Sequence, residues 1–134
     1  MEKKLVVPKQ DQELYDGWHF APAVRVGDTV YVSGQVGVDA NLTPGETPEA
    51  QARLAFESLS RVLREAGTGL ADVVEITTFH LDLRGELQAF ASVKDEFLPK
   101  NFPAWTAVGV TQLALPELRF EIRAIAVVGC GKGL

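Results

Sequence analysis

From Leu118 to Val128 the chain alternates strictly, with Phe120, Ile122, Ala124 and Ala126 apolar and Arg119, Glu121 and Arg123 between them. Residues two apart on a strand share a face at a spacing of ~6.6 Å. The pattern therefore predicts a carboxylate flanked by two guanidinium groups. Glu121 could position or activate water as a general base, with Arg123 bringing positive charge to an anionic ligand. The plainer reading, favoured by how often arginine–carboxylate pairs are structural, is an ion pair of Arg123 with Glu121 or with a neighbouring subunit. Trp105 offers a large flat apolar face and a single N–H donor, which suits either the wall of a ligand cleft or a packing plug. His19 and His80 are far apart and have no partners at metal-ligand spacing, so no metal site is expected. For His80 the expected partner is Asp82, two residues on. Cys130 has no adjacent histidine to activate it as a nucleophile. The run Gly129 to Gly133 superficially resembles a phosphate-cradling loop but lacks the full spacing. Arg25, beside a hairpin, reads as a solvated or interface charge.

These residues must be positioned by short elements. A possible edge strand lies around Leu5 to Val7 in an otherwise polar, irregular stretch over residues 1–17. Phe20 to Val26 and Thr29 to Gln35, joined through Gly27-Asp28, predict a hairpin. Asp39 to Glu46 reads as a loop. Helical spacing of Ala55, Leu59, Val62, Leu63 and Ala66 follows, with Thr47 as N-cap, Pro48 in the first turn and Gly67 at the end. Val73 to Leu83 predicts a strand covered on both faces. A second helix is expected from about Glu86 to Leu98, burying Leu87, Phe90, Val93 and Phe97. Trp105 to Leu113 and Leu118 to Val128 are expected to form a last pair of strands. The order β-β-α-β-α-β-β, after a weak first strand, puts both helices on one face of a sheet. The other face would keep apolar side chains in water, which predicts a partner, most simply a second copy of the chain.

The chain has 134 residues, 46% hydrophobic and 23% charged, which predicts a single domain over residues 1–134. Its 13 basic against 18 acidic side chains give a net charge of −5. It lacks the basic surplus that displaces counterions from phosphates, so nucleic acid is not an expected partner. One cysteine excludes an intramolecular disulfide. Leu5 to Val7 is too short for a signal peptide or membrane span. No membrane partner and a cytoplasmic location are therefore expected.

Several blocks, taken in order, resemble the RidA (YjgF/YER057c/UK114) family. They are Pro22 to Asp28, Val32 to Gly37, Gln51-Ala52-Arg53, Glu65-Ala66-Gly67, Asp72-Val73-Val74, Phe102-Pro103-Ala104, Thr106-Ala107-Val108 and Phe120 to Ala126. The resemblance covers about Phe20 to Val128. It implies an α+β, chorismate-mutase-like subunit with a mixed sheet and two helices on one face. Three such subunits would assemble as a homotrimer with a barrel-like core, and a small-molecule ligand would sit in each inter-subunit cleft. The activity implied is hydrolysis of reactive 2-imino acids and enamines to 2-keto acids and ammonia, without metal or cofactor.

Carried over residue by residue, the resemblance makes Glu121 the glutamate associated with the attacking water, and Gly34 the glycine of Ser33-Gly34-Gln35. Phe20 stands where a pocket tyrosine is common and lacks its hydroxyl. Trp105 stands where an arginine grips the substrate carboxylate, bidentately and in a way lysine cannot reproduce. Ala91 stands where active members carry an asparagine, and Ala107 follows the Trp105-Thr106 pair. Arg123, on the strand of Glu121, could replace the missing cation. Losing a charged partner costs about 2–5 kcal/mol, roughly a 30- to 4000-fold loss in binding. Weak turnover of small 2-imino acids is therefore expected, with Trp105→Arg restoring only part of it. A non-catalytic metabolite-binding or protein-interaction module is the alternative. A ribonuclease is disfavoured by the absence of a basic phosphate track.

Overall fold

The computed structural model describes residues 1–132; Gly133, the last residue of the Gly129 to Gly133 run, and Leu134 lie outside them. Six strands form one mixed sheet: β1 (Lys3–Val6), β2 (Ala23–Val26), β3 (Thr29–Val36), β4 (Val73–His80), β5 (Ala104–Gly109) and β6 (Phe120–Val127). Their spatial order is β1-β2-β3-β6-β4-β5. β4 and β5 run parallel, and every other neighbouring pair is antiparallel. Three helices accompany the sheet: α1 (Gln12–Trp18), α2 (Pro48–Glu65) and α3 (Leu83–Phe97). No helix among the described residues is long and apolar enough to cross a membrane.

The hairpin across Gly27-Asp28 forms as the sequence predicts, with Gly27 at φ +58°. In α2 the Thr47 hydroxyl accepts from the Ala50 amide at 3.0 Å, Pro48 opens the first turn, and Gly67 at φ +88° follows the end. Arg25 is not a freely solvated charge. Its guanidinium donates to the Ala66 carbonyl at 2.9 Å, where a cation complements the C-terminal end of α2.

Three expectations are corrected. Residues 12–18 are helical, although their polar, aperiodic sequence gives no apolar stripe; α1 has no buried residue and ends on His19 at φ +60°. β4 stops at His80, and α3 starts at Leu83 rather than Glu86, because the Asp82 carboxylate caps it by accepting from the Gly85 amide at 3.1 Å. Asp82 is thus committed to the helix, and His80 bonds to Thr78 instead. Finally, β5 does not pair with β6. It ends at Gly109 and lies at the sheet edge, parallel to β4, while β6 inserts between β3 and β4. The physical reason is burial: β5 has no fully buried position, whereas β6 buries Phe120, Ile122, Ala124 and Ala126. A strand with so complete an apolar face belongs in the middle of the sheet, under the helices.

The core between sheet and helices is built on Phe56, Phe90, Phe120, Leu59, Leu63 and Ile122, all fully buried. Buried Gln51 ties the layers together: it donates to the carbonyls of Gly45 (3.0 Å) and Glu117 (2.7 Å) and accepts from the Arg119 amide (2.8 Å). The opposite sheet face carries Tyr31, Phe79, Val108 and Ile125, and no helix covers it: Tyr31 is 47% exposed.

The glycine-containing tail does hold an anion, but one from its own chain. Asp72 accepts from Thr68 Oγ1 (2.6 Å) and from the amides of Gly129 (2.9 Å) and Gly131 (2.8 Å). The Thr68 hydroxyl and then these amides hold the Asp72 pKa below its usual value. Its stabilisation is therefore present above the unfolded carboxylate range and is lost as pH falls through the lower folded value. Asp72→Ala is expected to cost about 1–2 kcal/mol at pH 7. Urea midpoints should show that cost shrinking toward pH 3; an equal cost at both pH values would show that the carboxylate charge is immaterial.

Candidate functional site

Between Val32 and Gln35 the β3–β6 register shifts: two residues, Ser33 and Gly34, oppose the single residue Arg123. Such a bulge re-aims the side chains on either side of it. Gln35 consequently turns inward, where its side-chain oxygen accepts from Ser58 Oγ at 2.6 Å, and its amide returns to the Ser33 carbonyl at 3.1 Å. Gly34 is left facing the Glu121 side chain. A Cβ at Gly34 would lie 2.5 Å from the Glu121 carboxylate carbon, so a larger residue here would displace that carboxylate. The structure thus sets Gly34 against Glu121, two of the three residues that the family resemblance assigns to one cleft; the third, Trp105, lies apart from them within the chain.

Glu121 is half-buried, flanked across the strands by Val36 and Phe79. Among the described residues it has no hydrogen-bond or ion-pair partner. Burial pushes its pKa above the usual glutamate value, because an apolar setting disfavours the charged form. An uncompensated carboxylate of raised pKa is a better proton acceptor from water than a paired one. Beside Gly34 lies a groove of about 370 Å³ that also contains Phe20, Leu14 of α1, and Ser58 and Arg61 of α2. Phe20 and Gly34 line this same groove. Arg61 is already engaged, with Ser58 Oγ at 3.3 Å and Asp11 at 3.8 Å.

The expected row of Arg119, Glu121 and Arg123 does not form. Arg119 precedes β6 and turns to Glu86 of α3, with which it forms an ion pair. Arg123 does share the face of Glu121 but is exposed and lies opposite Thr77 of β4. It makes no ion pair with Glu121, so that structural alternative does not hold within the chain.

Trp105 occupies the other face. It lies opposite buried Ile76 on β4, and its indole N–H donates to Thr78 Oγ1 at 2.8 Å. The ring tilts over Phe90 with centroids 6.1 Å apart. Thr78 also bonds His80 Nε2 at 2.7 Å, leaving Nδ1 buried without a partner. Burial lowers the His80 pKa, so the ring is held neutral. Within one chain, then, Trp105 is packed into the helix-covered side, while Glu121 faces the opposite side. Ala107, two residues along β5, shares the Trp105 face, and Ala91 is half-buried on α3. The polar group that reaches Trp105 from α3 is Lys94, which the sequence reading passed over. Its signal was its spacing: Lys94 follows Phe90 by four residues and so falls on the buried stripe.

The arrangement combines a half-buried carboxylate, without a partner among the described residues, beside a strand bulge with a tryptophan-bearing edge strand, on a mixed sheet backed by helices. A family model described as Endoribonuclease L-PSP matches residues 11–128. The RutC family protein YjgH of Escherichia coli strain K12 is 39% identical over 127 residues, covering 94% of this chain and 95% of its own. A 2-iminobutanoate/2-iminopropanoate deaminase of Dermatophagoides farinae is 33% identical over 111 residues, covering 81% of this chain and 85% of its own. Among solved structures, Rv2704 of Mycobacterium tuberculosis, described as a member of the YjgF/YER057c/UK114 family, superposes with a TM-score of 0.83. It is 30% identical, over 95% of this chain and 100% of its own. The chain belongs to the RidA/YjgF family.

Proposed function

We propose that the chain works as a homotrimer whose inter-subunit clefts bind small imino or enamine acids and hydrolyse them slowly to 2-keto acids and ammonia. The observation that carries this reading is Glu121, half-buried against Gly34 with no cationic partner among the described residues and a raised pKa. Such a group can take a proton from water as the oxygen adds to the imine carbon. The carboxylic acid so formed passes that proton to the imine nitrogen, giving a carbinolamine. Glu121 then takes the carbinolamine hydroxyl proton and returns it to nitrogen as the C–N bond breaks, the carbonyl forms and ammonia leaves.

Assembly is part of the proposal, since Glu121 and Trp105 lie on opposite sides of one sheet. The Glu121, Gly34 and Phe20 edge of one copy would have to meet the Trp105, Ala107 and Ala91 edge of another. The uncovered face with Tyr31, Phe79, Val108 and Ile125 supports such a contact, because leaving it in water forfeits roughly 25 cal/mol per Å² of apolar area. The deaminase name of the Dermatophagoides farinae relative supports the reaction class. The indole at Trp105 in place of a bidentate cation supports slow turnover, and favours ligand binding without turnover as the second reading.

Sedimentation at micromolar concentration is expected to give three times the monomer mass. A coupled assay, in which an amino-acid oxidase generates 2-iminobutanoate, should show imine decay that is saturable but slow. A monodisperse monomer would overturn the shared cleft; decay no faster than in buffer would leave the binding reading.

A further inference from the structure

Lys94 has an environment unlike that of an ordinary surface lysine. The residue is 7% exposed, and lysine is almost never so buried without a compensating partner. Its ammonium lies 5.0 Å from the ring centroid of Trp105 and 5.5 Å from that of Phe102, over the negative faces that attract cations. Among the described residues its one carboxylate partner is the adjacent Asp95, at 3.0 Å, with a side chain 64% exposed. An ammonium carries three donors, and the Asp95 contact occupies one. Asp95 is free to swing into water, so an incoming carboxylate could take its place without stranding a buried anion.

The surroundings also suit a ligand's carbon skeleton. Phe102 is 67% exposed and forms an apolar outer wall. Ala91 stands one helical turn before Lys94 and therefore on the same side of α3, and Ala107 shares the Trp105 face of β5. Both are small. Arg123, which the sequence offered for this role, is on the opposite sheet face, while Arg119 is paired with Glu86 and Arg61 is held by Ser58 and Asp11.

We propose that Lys94, clasped between Trp105 and Phe102, is the carboxylate-binding group of the Trp105 half of the cleft, and that this half takes small monocarboxylates with a short apolar chain. The inference rests on the cleft proposed above and deepens it by naming the cation. Because an ammonium is a point charge rather than a planar fork, it holds the ligand with less orientational control, consistent with slow turnover.

The test uses the full chain with Trp18, which is exposed and outside both half-sites, changed to Phe. Trp105 then reports alone. Butanoate and its neutral analogue butanamide are titrated by fluorescence and calorimetry. Butanoate is expected to bind saturably in the millimolar range and butanamide at least tenfold more weakly. Lys94→Met should weaken butanoate at least tenfold, and Lys94→Arg should stay within about threefold of the parent. Lys94→Gln, which keeps the stem and polar end, guards against a folding defect in the methionine variant and should behave like it. Unchanged butanoate binding in Lys94→Met or Lys94→Gln, equal binding of butanamide, or no binding of butanoate would each overturn the proposal. Failure of the deaminase reading is separable: binding through Lys94 without imine decay removes catalysis alone. Imine decay that survives Lys94→Met with unchanged KM removes the Lys94 role alone.

Discussion

Glu121→Gln is expected to lower imine hydrolysis by about 10²- to 10⁴-fold, the range over which a positioned acid–base group acts, without loss of the fold. The substitution preserves shape but removes the ability to accept a proton from water. Its effect on stability should run the other way. Burial raises the Glu121 pKa, and no partner among the described residues offsets the cost of the charge. A carboxyl with a raised folded pKa contributes stability that is present below its unfolded pKa and is lost as pH rises through the folded one. Wild type should therefore lose stability relative to Glu121→Gln between pH 4 and pH 8. Urea midpoints at those two values, with the coupled assay at pH 8, check both halves. Retained turnover with a higher midpoint would show that Glu121 is a destabilising residue without a chemical role.

That opposition between rate and stability is visible only in three dimensions. The strict alternation of β6 was enough to place Glu121 and Arg123 on one face and Phe120, Ile122 and Ala124 on the other, because a central strand buried on one side leaves little choice of register. Thr47, Pro48 and Gly67 were likewise enough to bound α2, since each meets a local backbone requirement. What local pattern does not carry is which strands become neighbours. The insertion of β6 between β3 and β4 comes from competition for the helix-covered middle of the sheet, and α1 is held by no apolar stripe of its own. At the site, Gly34 and Glu121 were placed together by resemblance to a family. The reason they touch, the extra residue in the bulge, is an event of pairing. Lys94 was missed because a lysine among apolar positions reads as a helix's solvated edge until the two rings that cover it are located.

Trp105→Arg should be destabilising and should restore turnover of 2-iminobutanoate only in part, by less than about tenfold, because a clamp without its supporting shell is loosely placed. The indole packs on Phe90, donates to buried Thr78 and carries the Lys94 ammonium on its ring. Arginine keeps none of these contacts intact, and it sets a second cation beside Lys94. Two unit charges 5 Å apart repel by ~3 kcal/mol at an effective dielectric constant near 20, although movement of the side chains would relieve part of this. Loss of packing and of the Thr78 bond adds to it, so a total cost of about 2–4 kcal/mol is expected. Phe20 and Ala91 would still lack the polar groups that the family resemblance associates with active members. Adding Lys94→Met removes the repulsion while leaving the guanidinium as the only clamp. The double variant should therefore be more stable than Trp105→Arg, whereas Lys94→Met alone should change stability little. A double-mutant cycle on urea midpoints measures that coupling directly. A coupling near zero would place the new guanidinium away from Lys94. A fully active Trp105→Arg would show that one missing fork, and nothing else in the cleft, limits this chain.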